Sequence, residues 1–400
     1  MNPNLSKLQP YPFEKLRQLL AGITPNPATR EIRLSIGEPR HPTPEFIKTA
    51  LSSALDALEN YPTTAGSPAL RRAIADWMGR RYAISDIDPE TQILPTNGSR
   101  EAIFSLTQTL IDASRRPLVV CPNPFYQIYE GATILAGAEP RFLNTVPEND
   151  FAFDFDAVAD EEWARVQLLF VCSPANPTGK TLSLDEWKRL FDLADRYGFV
   201  IASDECYSEI YFDEAAPPLG VLQAAKALGR SFAGLVMLSS LSKRSNVPGM
   251  RSGFAAGDAA LLNRFLLYRT YHGSAMSPAI QAASLAAWSD EAHVVDNRAR
   301  YREKFDAALP VFSDALETRM PDAGFYFWAR VDGKTPYSDT EFARRLFADY
   351  NIVVLPGSYL SRTVKGINPG NGFLRIALVA PHAECVEAVD RIRQFVSKSG

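Results

Sequence analysis

Four short apolar runs, at residues 117–121, 166–172, 198–203 and 234–239, restrict this chain to few architectures. None alternates apolar with polar side chains, which is how a strand reads when helices cover both faces of its sheet. Helical periods lie between and before them. Residues 101–111 place Ile103, Leu106 and Leu110 on one face, and 184–197 form a second such stretch. Strand and helix in this order and spacing predict an α/β fold with a mostly parallel, doubly wound sheet over residues 46–288.

The flanks read differently. Residues 1–45 carry Pro10, Pro12, Pro25, Pro27, Pro39, Pro42 and Pro44. Proline fixes φ and removes a backbone donor, so this segment is not one long helix. It reads as an arm that runs over a surface or grips a partner, and as part of a smaller domain, with room for a short helix over 16–20. From 289 to 400 the pattern is α+β, a smaller C-terminal domain. A charged helix over 291–316 leads to a strand at 325–331, a helix at 341–350, strands at 352–354 and 372–378, and a closing helix over 383–396.

Charge and cysteine usage exclude several function classes. Lys and Arg number 42 against 46 Asp and Glu, a net charge of −4, and the arginine pairs are scattered, so neither nucleic acid nor a membrane surface is an expected partner. Cys121, Cys172, Cys206 and Cys385 form no C-x-x-C pair, so neither a disulfide framework nor a metal site is expected. Residues 1–7 lack a basic lead into an apolar stretch, and no run reaches the ~18 apolar residues of a membrane span. A reducing cytoplasm is the expected compartment.

In open α/β sheets ligands bind beyond the carboxyl ends of the strands. There this sequence places Pro122-Asn123-Pro124-Phe125-Tyr126, Ser173-Pro174-Ala175-Asn176-Pro177-Thr178-Gly179, Asp204-Glu205-Cys206-Tyr207 and Ser240-Leu241-Ser242-Lys243, with Asn97-Gly98-Ser99-Arg100 before a helix. The set suits an aromatic, phosphorylated, pyridine-like ligand. The helix start at Gly98, Ser99 and Arg100 offers free N–H groups to a phosphate, and Ser240, Ser242 and Arg251 complete a cradle. Asp204 suits a protonated ring nitrogen, while Asn176 and Tyr207 suit a ring oxygen. Tyr126 is placed to cover a flat ring, with Phe125 and Tyr129 as alternatives. Lys243 suits an aldehyde. One decoy fails: Gly179-Lys180-Thr181 resembles the end of a P-loop, but the glycine required five residues earlier is Pro174.

These motifs, together with Tyr61-Pro62, Gly66, Leu70-Arg71 and Arg375, resemble the class I/II (fold type I) pyridoxal-phosphate aminotransferases over nearly the whole chain. The resemblance implies an enzyme that transfers amino groups between small amino and keto acids, with pyridoxal 5'-phosphate as cofactor. It casts Lys243 as the Schiff-base lysine and acid/base, Asp204 as partner of the ring nitrogen, and Asn176 and Tyr207 as partners of the ring oxygen. It casts Arg375 and Gly37 as the grip on the substrate α-carboxylate. Tyr61 resembles a tyrosine that reaches the phosphate of a neighbouring subunit, which implies a homodimer with shared sites. More narrowly, residues 10–16, 36–44 and 242–251 are similar to bacterial succinyldiaminopimelate aminotransferases of lysine biosynthesis, which pair that substrate with glutamate and 2-oxoglutarate. A distal carboxylate would then want a second cation, with Arg40, Arg244 and Arg362 as candidates. The alternatives on the same scaffold are an aspartate or aromatic aminotransferase and a cysteine-conjugate β-lyase. The alternative of another class is a cofactor-sensing regulatory module.

Overall fold

The computed structural model describes residues 1–399. Its centre is a seven-stranded sheet. From one edge to the other the strands are Ile93–Thr96, Gly253–Gly257, Leu235–Ser240, Val200–Asp204, Val166–Cys172, Leu118–Asn123 and Glu139–Asn144. Gly253–Gly257 runs antiparallel to both neighbours, and the remaining pairs are parallel. Successive side chains enter separate cores on the two faces. Leu235 and Met237 join one, and Val236 and Leu238 the other. Full burial of each such side chain contributes about 1.5–3 kcal/mol, which is why these strands carry no polar face.

Val166–Cys172 has the bounds read from its sequence, and so does the helix Leu184–Tyr197. That helix is closed at both ends by local chemistry. Ser183 and Glu186 form a capping box, and Gly198 stops it at φ 77°. Three strands had no such signal. Glu139–Asn144 is a half-buried edge strand with polar residues, Ile93–Thr96 contains Pro95, and Gly253–Gly257 is built of small residues apart from Phe254.

Beside this sheet lies a three-stranded antiparallel one, in the order Leu355–Pro356, Phe373–Ala377, Tyr326–Arg330. The long helix Ala292–Ala315 packs on the closing helix His382–Ser399. The proline-rich start belongs to this part as well. Ile32–Arg33 pairs in parallel with Ile352–Val353, and Ile32 and Leu34 enter the same core as Phe327 and Ile376. The short helix expected over 16–20 runs instead from Pro12 to Leu19, because a proline at the first helical position already has the required φ. Its Leu16 is buried with Trp328 and Phe347, so the arm is anchored to its own chain there.

Candidate active site

The carboxyl ends of the central strands and the N-terminal segment enclose a cavity of about 510 Å³. Asp204 ends the strand Val200–Asp204 at its floor and is 4% exposed. Its Oδ2 accepts from the Tyr129 hydroxyl at 2.8 Å, and its Oδ1 from the Cys206 N–H at 3.3 Å. Burial pushes the Asp204 pKa up, while the donors at Cys206 and Tyr129 pull it down.

The three aromatic residues left open by the sequence divide cleanly. Phe125 is buried against Phe142, with ring centroids 4.9 Å apart. Tyr129 stacks on Phe170 at 4.6 Å beneath Asp204. Tyr126 lines the cavity, and its hydroxyl accepts from Arg100 Nε.

Lys243 sits on a single helical turn, Leu241–Arg244, directly after the strand Leu235–Ser240. Its Nζ donates to the Gly37 carbonyl at 2.5 Å. Burial lowers its pKa from the ordinary 10.5 to about 8. Gly37 is confined from the other side. A Cβ there would lie 1.8 Å from the Tyr326 hydroxyl oxygen, so only glycine fits.

At one end of the cavity the helix Ser99–Leu110 begins after Gly98, whose φ of 82° suits glycine. The turn is braced from behind, where Glu101 accepts from the Asn97 N–H at 3.1 Å and from buried Arg269 at 3.2 Å. Arg251 lies against Gly98 so closely that a Cβ would meet its Nη2 at 2.4 Å. Arg251 donates to the Pro248 carbonyl at 3.0 Å. Ser99, Ser240 and Ser242 line the same end, with the Cys206 thiol 3.0 Å from Ser99 Oγ and 3.6 Å from Ser240 Oγ. Helix N–H groups, hydroxyls and a guanidinium brought together at one end are donors that suit an anion.

At the opposite side Arg375 projects from the strand Phe373–Ala377. Nη2 donates to the Ser35 carbonyl at 2.7 Å and Nη1 to Asn176 Oδ1 at 3.0 Å, while Nε is buried without a partner. The guanidinium lies 4.6 Å from the centroid of Tyr326, whose hydroxyl meets that of Tyr207 at 2.8 Å. A planar donor fork held on two sides, with a donor unpaired, suits a carboxylate.

Every cavity residue named from the sequence therefore converges here, with two qualifications. Gly98 contributes its backbone behind the lining, and Tyr61 is fully exposed away from its own chain's cavity. The arginines proposed for a distal carboxylate are a correction. Arg244 is 1% exposed and donates to the Ala287 carbonyl at 2.7 Å and to Glu291, making it a core residue. Arg362 is held bidentate by Glu130 at 2.8 and 2.5 Å. Arg40 is exposed and does not line the cavity. Sequence reasoning in turn gave no role to Tyr326 and offered Tyr129 only as a ring cover. Tyrosines within apolar runs read as core, and the nearness of Tyr129 to Tyr126, which precedes the helix Ile128–Leu135, was the only available signal.

The residues present fit pyridoxal phosphate. Asp204 uses two of its acceptor positions and faces the cavity with the rest, as a protonated ring nitrogen requires. The anion-suited donors and Lys243 stand where a phosphate and an aldehyde would be received.

Residues 29–392 match the family model for aminotransferase class I and II. The chain is 33% identical, over 98% of each sequence, to an LL-diaminopimelate aminotransferase of Nitratidesulfovibrio vulgaris. It superposes on the crystal structure of an aminotransferase from Neisseria meningitidis with a TM-score of 0.95 and 53% identity, covering 99% of this chain and 100% of that one. A probable N-succinyldiaminopimelate aminotransferase from Thermus thermophilus gives a TM-score of 0.84 at 26% identity, over 96% and 99% of the two chains.

Proposed function

This chain belongs to the class I and II aminotransferases, and from that premise we propose that it moves an amino group between glutamate and a keto acid of the diaminopimelate skeleton, with or without a succinyl group on the distal amine. The observation that carries the reading is the placement of Lys243 Nζ on the Gly37 carbonyl, in one cavity with the buried Asp204 carboxylate and the Arg375 fork. The diaminopimelate skeleton is supported by what the relatives are named for.

Pyridoxal phosphate, the cofactor of this family, supplies when bound an electron sink for the pair left on the substrate Cα after deprotonation. Lys243, Asp204, Asn176, Tyr207 and Tyr126 would hold its ring end. Gly98, Ser99, Arg100, Ser240, Ser242 and Arg251 would hold its phosphate. The chain's own chemistry is then orientation and proton movement. Arg375 takes the α-carboxylate through its unpaired donors, which fixes Cα relative to Lys243. The Lys243 amine, with its pKa brought to about 8, would take the Cα proton and carry it to the far side of the substrate nitrogen. Asp204, with Tyr129 and the Cys206 N–H donating to its oxygens, would pair with the ring nitrogen and favour charge flow toward the floor.

Two features complete the proposal. Tyr61, exposed on its own chain, reaches the phosphate end of a second copy in a homodimer. The enzyme acts in the cytoplasm. A coupled assay of the purified protein with glutamate against a panel of keto acids tests the reading. Turnover restricted to the pimelate compounds is the expected result, and equal rates with oxaloacetate or aromatic acceptors would reject the diaminopimelate assignment.

A further inference from the structure

Glu38 lines the cavity beside Gly37 but belongs to none of the machinery above. Its backbone is pinned on both sides. The Glu38 N–H donates to the Ile36 carbonyl at 2.9 Å, the Gly37 carbonyl receives Lys243, and the following Pro39 is buried. Its side chain is exposed, and among the described residues its carboxylate has neither a hydrogen bond nor an ion pair. The other acid lining the cavity, Asp204, lies at the floor with Tyr129 and the Cys206 N–H already on its oxygens. None of the cations lining the cavity pairs with Glu38. Arg375 is tied to Ser35 and Asn176, Arg251 to Pro248, and Arg100 to Tyr126. The Glu38 charge is felt inside the cavity, where it favours the charged form of Lys243. With Arg244 and Arg362 committed elsewhere, the cavity presents an open anion where the sequence suggested a second cation.

We propose that Glu38 reads the far end of the substrate and selects a free distal ammonium over an acylated one. This rests on the diaminopimelate reading above and chooses within it, against the succinylated form that the resemblance of residues 36–44 implied: unmodified diaminopimelate carries that ammonium, and the succinylated form replaces it with an amide and adds a carboxylate. A carboxylate open to water discriminates modestly, by about three- to tenfold, because solvent screens the pair.

The test uses holoenzyme and its variants Glu38→Gln and Glu38→Arg. Dissociation constants are read from changes in visible absorbance with lysine, norleucine and 2-aminoadipate, whose far ends are cationic, neutral and anionic. The same titration is run with LL-diaminopimelate and its N-succinyl derivative. The expected result is a three- to tenfold fall in the lysine-to-norleucine preference in Glu38→Gln, and a preference for 2-aminoadipate in Glu38→Arg. If Glu38 merely tunes Lys243, all five ligands shift by one common factor, and the proposal is overturned. Failure of both diaminopimelates to bind the wild type rejects the substrate reading, while the lysine-to-norleucine ratio still decides the role of Glu38.

Discussion

The hydroxyl of Tyr129 donates to Asp204 Oδ2 at 2.8 Å from below the cavity floor, with its ring clamped on Phe170. A hydrogen bond to a buried charge is worth about 1.5–3 kcal/mol. Tyr129→Phe keeps the stack and removes only the donor. It should weaken pyridoxal phosphate binding by roughly tenfold or more, measured by titrating cofactor-free protein.

Lys243 titrates at about 8 in the folded protein, against an ordinary 10.5. Between those values the unfolded chain binds more protons than the native one, so stability should rise as pH increases across this window. The full effect is on the order of 3 kcal/mol. Urea denaturation of cofactor-free wild type and Lys243→Met from pH 7 to 10.5 should show a steeper rise in the wild type. Lys304, which burial also lowers to about 8, contributes equally to both proteins and cancels in the difference. Lys243→Met should also abolish turnover and covalent retention of the cofactor after borohydride reduction.

Arg375→Lys keeps the charge and loses the fork. A lysine cannot serve the Ser35 carbonyl, Asn176 Oδ1 and an incoming carboxylate in one plane. We expect kcat/KM for amino acids to fall roughly 10- to 100-fold, equivalent to about 1.4–2.7 kcal/mol, with no comparable loss of cofactor affinity.

Gly37→Ala drives a methyl group into the Tyr326 hydroxyl and forces apart the Tyr326–Tyr207 pair. Overpacking of this kind costs about 1–3 kcal/mol. Adding Tyr326→Phe should restore part of the stability in thermal melts, because it removes the oxygen that the new Cβ meets first.

What the sequence disclosed follows from how each residue is used. Strands buried on both faces, such as Val166–Cys172, announce themselves because every position is apolar. The edge strand Glu139–Asn144 does not, since half-burial tolerates Glu139 and Arg141. In the same way, polar residues at or just past the end of a strand, such as Asp204 and Lys243, stand out against the apolar run before them. Tyr326, flanked by Phe325 and Phe327, is indistinguishable from core until the strand's register turns its hydroxyl toward Tyr207. Arg244 misled for the converse reason. An arginine beside Lys243 reads as solvent-facing, yet its guanidinium is folded over Trp288, 4.8 Å from the ring centroid.

The pairing of Ile32 with Ile352 ties the first tenth of the chain to its last eighth. During synthesis at roughly 5–20 residues per second, the N-terminal strand must wait tens of seconds for its mate to be made. Ser35, which steadies Arg375, waits longer still. The nascent polypeptide can therefore assemble its central sheet early, but its carboxylate grip is completed only near the end of translation. A truncated product would be structured at its centre and catalytically silent.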